Sequence, residues 1–254
     1  MRAFVARALQ LDGHVTAEAV DGAAIVVLSA PPIAMAELLD ELVVCRRSGR
    51  LTESAVVTDV GSTKRWIMAE AAKRSLRFCG GHPMAGSTET GFAASDGRLF
   101  MGRPWVVVPN HHGASSAAAL VERLASSCGA RPVTMDADLH DAATAAVSHL
   151  PLLVAAALVS AVSQGEQGKA PDGWGVSHLL ASSGWDSATR LARGSEEMGA
   201  DILATNAREV RRRLRALRDE LERWDARLAA AENDPLVART DIRARLAEAR
   251  ETLK

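Results

Sequence analysis

The stretch Ala24-Ile25-Val26-Val27-Leu28-Ser29-Ala30, stopped by Pro31-Pro32, decides the fold. It is short, continuous in apolar residues and rich in β-branched side chains, as expected of a strand buried on both faces. A helix follows, with Met35, Leu38, Leu39, Leu42 and Val43 on one side. Ala55-Val56-Val57-Thr58 repeats the buried-strand pattern, residues 64–74 repeat the helical one, and Leu76-Arg77-Phe78-Cys79 reads as a further strand. Leu99 to Pro109 reads as a loop entering a strand at 105–108, and a strand at 131–134 closes the layer. Strand–helix alternation of this kind predicts a parallel, right-handed α/β sheet.

After residue 134 the strand patterns stop. Asp136 to Gln164 is helical, started or broken by Pro151, and its Leu152–Val162 stretch is apolar enough to require burial. Residues 164–175 form a Gly/Pro/Gln-containing loop. Val210, Leu214, Leu217, Leu221, Trp224 and Leu228 then recur at alternating four- and three-residue steps on a helix otherwise full of Arg and Glu. Such a seam packs either within the chain or against a second subunit. The expected class is α/β plus all-α, with residues 1–133 forming the sheet domain and 134–254 the helical domain.

The 254 residues suffice for a sizeable core, and 48% hydrophobic with 24% charged residues is an ordinary globular balance. A net charge of −1 gives no electrostatic case for nucleic acid or an anionic membrane. Basic residues are nearly all Arg, which we read as coding bias. Cys45, Cys79 and Cys128 are too few and too scattered for a zinc site or a disulfide framework, so a reducing cytoplasm is expected and no metal. The first residues are too polar for a signal peptide, and no apolar run is expected to reach the length of a membrane span.

The chemistry concentrates in three loops. Gly80-Gly81-His82-Pro83-Met84-Ala85-Gly86-Ser87 places an imidazole in what reads as a glycine-bracketed turn after the 76–79 strand, suited to proton transfer near neutral pH. Thr58-Asp59-Val60-Gly61-Ser62-Thr63-Lys64 ends another strand, and Leu99 to Pro104 leads into a third. Together they define an active site at the carboxyl edge of an α/β sheet, or else a set of polar turns on an ordinary domain. Ser62 could equally cap a helix starting near Thr63. His149, His140 and His178 read as packing or capping residues, and His111-His112 as loop residues.

These loops resemble the prephenate/arogenate dehydrogenase family, which shows an Asp-x-Gly-Ser-x-Lys loop, then Gly-Gly-His-Pro-Met-Ala-Gly, then a Leu-Phe…Arg-Pro-Trp-Val strand. Further matches follow in order: His140-Asp141, Ser148-His149-Leu150-Pro151, Ala181-Ser182-Ser183-Gly184-Trp185, Thr189-Arg190 and Asn206. The resemblance runs from about residue 1 to residue 230. It implies a Rossmann-like dinucleotide-binding domain followed by a helical substrate and dimerisation domain that forms a homodimer through its C-terminal helices. It implies oxidative decarboxylation of a cyclohexadienol, arogenate or prephenate, with hydride transfer to NAD or NADP in tyrosine biosynthesis. His82 matches the histidine that assists proton removal from the substrate hydroxyl, Ser62 the serine that bridges the two, and Arg190 the arginine that pairs with the ring carboxylate. Ser87, Thr88, Glu89, Ser148, His149 and Leu152 fall at substrate-side positions. Ser29, Ala30, Pro31, Asp59 and Gly61 would face the nicotinamide.

Three departures from the family pattern favour arogenate. The position of a second histidine after Ser-His-Leu-Pro is Leu152; Ser87 is followed by Thr88 before Glu89; and Met198-Gly199 stands where others carry Met-Trp. Losing a histidine beside the side chain removes a donor suited to a keto acid, whereas an ammonium wants an acceptor such as Glu89. No Gly-x-Gly-x-x-Gly turn is present to hold a pyrophosphate. Residues 1–12 read as the helix after the family's second strand, so the sheet is expected to be N-terminally incomplete. Three explanations are open: a misplaced start, a decayed or repurposed copy acting as a dimeric binding protein, or a second chain supplying the strands. On this reading Val15-Thr16 lacks a neighbour and the 25–30 strand has a bare edge. A β-hydroxyacid dehydrogenase is disfavoured, because the lysine such enzymes carry on a helix has only Lys169, in a loop, to match it.

Overall fold

The computed structural model describes residues 17–86, 95–110, 114–164 and 174–254. Expectations for residues 1–12, Val15-Thr16, Ser87, Thr88, Glu89, His111-His112 and most of the 164–175 loop fall outside these.

A short helix α1 (Ala17–Val20) precedes strand β1 (Ile25–Leu28). Helix α2 (Ala34–Arg47) buries Met35, Leu39, Leu42 and Cys45, one stripe at helical spacing, and leads to β2 (Val56–Asp59). Helix α3 (Arg65–Lys73), β3 (Gly80–Pro83), β4 (Pro104–Val108), α4 (Ala114–Ser127) and β5 (Arg131–Thr134) follow. β1 and β2 pair in parallel with Leu28 opposite Asp59, so both carboxyl ends lie at one edge. The outer edge of β1 meets no other described strand, and Val27 on it is 41% exposed.

Two expectations are corrected here. The sheet is not wholly parallel: β3 runs antiparallel to β4, which is parallel to β5. A single parallel bridge, Val57 to Phe78, joins this group to β2. Nor does His82 sit in a turn, for it lies within β3 opposite Val106. The two glycines before it serve close approach rather than reversal. A Cβ at Gly81 would stand 2.5 Å from the Asp59 carbonyl oxygen, and one at Gly80 would stand 3.0 Å from Lys64 Cδ. Only glycine lets this strand press onto the end of β2.

Apolar side chains from α2, β2 and α3 form one core around Leu39, Leu42, Val57, Ile67 and Phe78. A second, around Trp105, Val107, Val121 and Ala125, fills the space between β4 and α4.

The helical part opens with α5 (Ala137–Thr144), capped by the Asp136 side chain on the Leu139 amide at 2.7 Å. It continues through a π-helical turn (Ala145–His149) into α6 (Leu150–Gln164). Pro151 has no N–H to give the preceding turn, and the chain widens there, Leu150 N donating to the Ala145 carbonyl. The proline therefore neither starts nor ends the helix. The expected burial of Leu152–Val162 is also corrected: within this chain only Ala155 of that stretch is fully covered. The run Ala137–Ser163, which contains an 18-residue window of mean hydropathy 2.0, is long and apolar enough to span a membrane by length and composition, contrary to expectation.

After α7 (Trp174–Leu179), α8 (Ser183–Thr189) and a 3-10 turn (Arg190–Arg193) comes α9 (Glu196–Thr205). A carboxylate on α9 binds the sheet domain, Asp201 Oδ2 accepting from Ile33 N at 2.8 Å. The long α10 (Ala207–Asn233) and α11 (Pro235–Thr252) follow, with Asp234 capping α11 and Pro235 in its first turn. Residues 210–254 form a compact unit of their own.

Candidate active site

At the carboxyl end of β2 the chain turns through 59–64, and Asp59 organises that turn from inside. Its Oδ2 accepts from Gly61 N at 2.9 Å and pairs with Lys64 Nζ, while its Oδ1 accepts from Gly81 N at 3.1 Å. Both side chains are wholly buried. Burial pulls the Lys64 ammonium below its ordinary range, and the Asp59 charge opposes that. Its carboxylate is thus fully engaged within the chain. It locks the loop to the strand bearing His82.

Asp141, on α5, reaches the same loop from the helical side. Its carboxylate accepts from the amides of Lys64 at 2.7 Å and Arg65 at 3.0 Å, capping α3 from another element. Ser62 therefore does not cap this helix, whose first residues carry no cap from their own chain segment. Burial alone would raise the Asp141 pKa; the hydrogen bonds from His140 and from the two amides outweigh it and hold the carboxyl below its ordinary range.

Three imidazoles gather around Asp141, one of them directly on its carboxylate. His140 Nδ1 lies 2.8 Å from Asp141 Oδ1, and His140 Nε2 lies 2.8 Å from His82 Nδ1. The His82 and His140 rings meet edge to face, 5.1 Å between centroids. His149, turned inward by the π-helical turn, places Nδ1 3.1 Å from Asn206 Nδ2, which also donates to the Asp141 carbonyl at 2.8 Å. His82 is held well below the ordinary histidine value, by burial first and then by Lys64 and the other two histidines. His149 is pushed down to about 4 by burial, with Asp141 opposing. At neutral pH both rings are uncharged, the state a proton acceptor needs.

Of the residues singled out from sequence, the structure brings His82, His149, Ser62, Asp59 and Gly61 into one region, with Ser62 half-buried and its backbone acting on His149. Ser29 is exposed, and Ala30 and Pro31 half-buried, just past the carboxyl end of β1. Ser148 is exposed and Leu152 half-buried. Arg190 is exposed at the head of its 3-10 turn and makes none of the cluster's hydrogen bonds. Sequence reasoning gave His140 no role and Asp141 and Asn206 none beyond the motif match; the adjacent His-Asp pair was the signal available.

A sheet domain bearing a buried histidine beside parallel strand ends, joined to helices that complete its hydrogen-bond cluster, is a two-domain α/β plus all-α architecture. Residues 2–134 match the family model for the prephenate dehydrogenase nucleotide-binding domain, and residues 136–240 match that for the prephenate dehydrogenase dimerization domain. The chain belongs to the prephenate dehydrogenase family. It is 31% identical over 191 residues to a prephenate dehydrogenase of Bacillus subtilis, covering 74% of this chain and 49% of that protein. The prephenate dehydrogenase of A. aeolicus, solved with hydroxyphenyl propionate and NAD+, superposes with a TM-score of 0.76 at 26% identity over 91% of this chain and 77% of that one. Synechocystis arogenate dehydrogenase superposes with a TM-score of 0.72 at 27% identity, over 93% of this chain and 82% of that one. The chain spans about half the length of the first curated relatives it matches.

Proposed function

We propose that this protein oxidatively decarboxylates arogenate, or prephenate, with hydride transfer to NAD or NADP, in the cytoplasm as part of tyrosine formation. The observation that carries the reading is the buried, uncharged His82 in its cluster on Asp141, beside the strand ends where a doubly wound sheet binds nucleotides. Among the described residues, the groups available to a nicotinamide are Gly61 and the Ser29–Pro31 loop, at the carboxyl ends of two adjacent parallel strands. Ser29 is exposed there and Gly61 half-buried. When bound, the nicotinamide accepts the hydride.

His82 takes the proton of the substrate hydroxyl as the C–H bond at the same carbon breaks. The electron pair of the bond to the ring carboxylate then enters the ring, carbon dioxide leaves, and the proton returns to the phenolic oxygen. The Ser62 hydroxyl bridges His82 and the substrate oxygen. Arg190 receives the ring carboxylate, for which its planar guanidinium offers two parallel hydrogen bonds. By the family match, Ser148, His149 and Leu152 belong to the substrate side, and the same match assigns Ser87, Thr88 and Glu89, which lie outside the described residues, to substrate binding. Two departures that favour arogenate are neighbours: a Cβ at Gly199 would stand 3.6 Å from Leu152 Cδ2. We place the domain boundary at 133/134. We also propose a homodimer through the helical domain, because Leu139, Val147, Leu214, Leu221 and Leu228 are exposed in the single chain.

The test is reduced-nicotinamide formation by the 254-residue chain with arogenate or prephenate and either cofactor, with carbon dioxide measured alongside. Equal yields of both products are expected. Replacing His82→Asn should lower turnover by about a hundredfold or more, as for loss of a general base. A folded dimer without turnover on either substrate would refute the reading and favour a repurposed binding protein.

A further inference from the structure

We propose that His140 and Asp141 are positioning residues that hold His82 as the tautomer protonated on Nδ1, leaving the Nε2 lone pair to take the substrate proton. The inference rests on the activity proposed above and names the atom that performs its proton transfer.

It follows from counting donors and acceptors along one chain of contacts. The Asp141 carboxylate can only accept, and it already takes the Lys64 and Arg65 amides at 2.7 and 3.0 Å. The 2.8 Å contact to His140 Nδ1 must therefore carry its hydrogen on the ring. In a neutral imidazole the other nitrogen is then an acceptor. With the His140 ring neutral, its Nε2, 2.8 Å from His82 Nδ1, takes the hydrogen of that contact from His82 Nδ1. His82 Nε2 is left with its lone pair.

The arrangement is fixed at its far end. Asp141 is held by two backbone amides of α3 and cannot rotate to serve the other tautomer without uncapping that helix. Without His140, His82 would sample both tautomers, and the wrong one would aim an N–H at the hydroxyl oxygen instead of a lone pair at its proton. When His82 Nε2 gains the proton and the O–H bond breaks, the new imidazolium keeps Nδ1–H on His140, with the Asp141 charge one ring further away. Nothing else changes hands. The proton is returned to the phenolic oxygen as the ring becomes aromatic.

The test combines nitrogen-15 spectra of the histidine rings in the 254-residue chain with steady-state kinetics of His140→Leu and His140→Gln. In the unsubstituted chain His82 should show a protonated Nδ1 and a bare Nε2. His140→Leu should mix the two forms and lower kcat by about ten- to a hundredfold, the usual cost of losing an orienting partner, with KM little changed. His140→Gln, whose amide oxygen can accept the same hydrogen, should recover part of kcat and the original spectrum. A proton on His82 Nε2 in the unsubstituted chain would overturn the inference even if both variants fail to fold. So would a His140→Leu protein with unaltered spectrum and kcat. Turnover with the proton on Nε2 sinks this inference alone. Absence of turnover with the proton on Nδ1 sinks the proposed activity and leaves the tautomer assignment standing.

Discussion

The cluster around Asp141 and the unit beyond Val210 invert each other's chemistry. In the first, charged and polar side chains are buried and apolar ones surround them: Lys64, Asp59, His140, Asp141, His149 and Asn206 are all nearly or wholly inaccessible. In the second, apolar side chains are exposed, Leu221 and Leu228 each 56%, and the charges lie at the surface in pairs such as Arg245 with Glu220 at 2.9 Å and Arg227 with Asp241 at 2.8 Å. A buried polar cluster holds one arrangement because each unmade bond is costly. An exposed apolar seam on a charged helix gains little stability by itself and gains it on meeting a partner. The first region suits the proposed proton transfer and the second the proposed association.

That contrast can be broken at its most demanding point. Lys64→Met leaves Asp59 buried without its cation, and should cost about 3–5 kcal/mol of stability in denaturant titrations, enough to unfold a marginal domain. A loss below about 1 kcal/mol would mean that the pair is wetter than its burial indicates.

Acid sharpens the contrast next. The folded-state values of His82 and His149 lie below the unfolded value of 6.5, so the unfolded chain binds more protons as pH falls. The stability these groups contribute is fully present above pH 6.5 and is lost on acidification, for His149 down to about 4. Each adds a slope of up to about 1.4 kcal/mol per pH unit. Thermal melts between pH 7 and 5 should show the decline, and His149→Gln should flatten it. Because Asp141 stays ionised through this range, it does not supply the slope.

The smallest effect is expected in the seam. Leu221→Glu places a charge on an already exposed position, so the fold should change by no more than about 0.5 kcal/mol. The oligomer, weighed by light scattering, should shift from dimer to monomer. Retention of the dimer would move the interface away from α10.

Much of the fold was legible because it is local. The stripe of Met35, Leu39 and Leu42 fixes α2, and the β-branched runs fix β1 and β2, each within a few residues of its observed ends. What was not legible depends on partners distant in sequence. Gly80-Gly81 reads as turn chemistry until Asp59 and Lys64 are seen pressing on it. The antiparallel β3–β4 pair is hidden for the same reason, since the residue pattern of a buried strand is alike in both directions. Pro151 reads as a break, yet the helix absorbs it in a wider turn that aims His149 inward. In the site, the candidate histidine was found from its motif. Its partner His140 was not, because contact between residues 82 and 140 is a property of the packed domains and not of either segment.

The central claim is that packing holds His82 uncharged as the proton acceptor, and the pH dependence of kcat/KM tests it most directly, since that profile reports ionisations of the free enzyme. With arogenate as substrate and stability checked at each pH, the account predicts that the acid limb falls below the ordinary histidine value of 6.5 and is lost from the residual activity of His82→Asn. An acid limb at or above 6.5, or one that survives unchanged in His82→Asn, would contradict it.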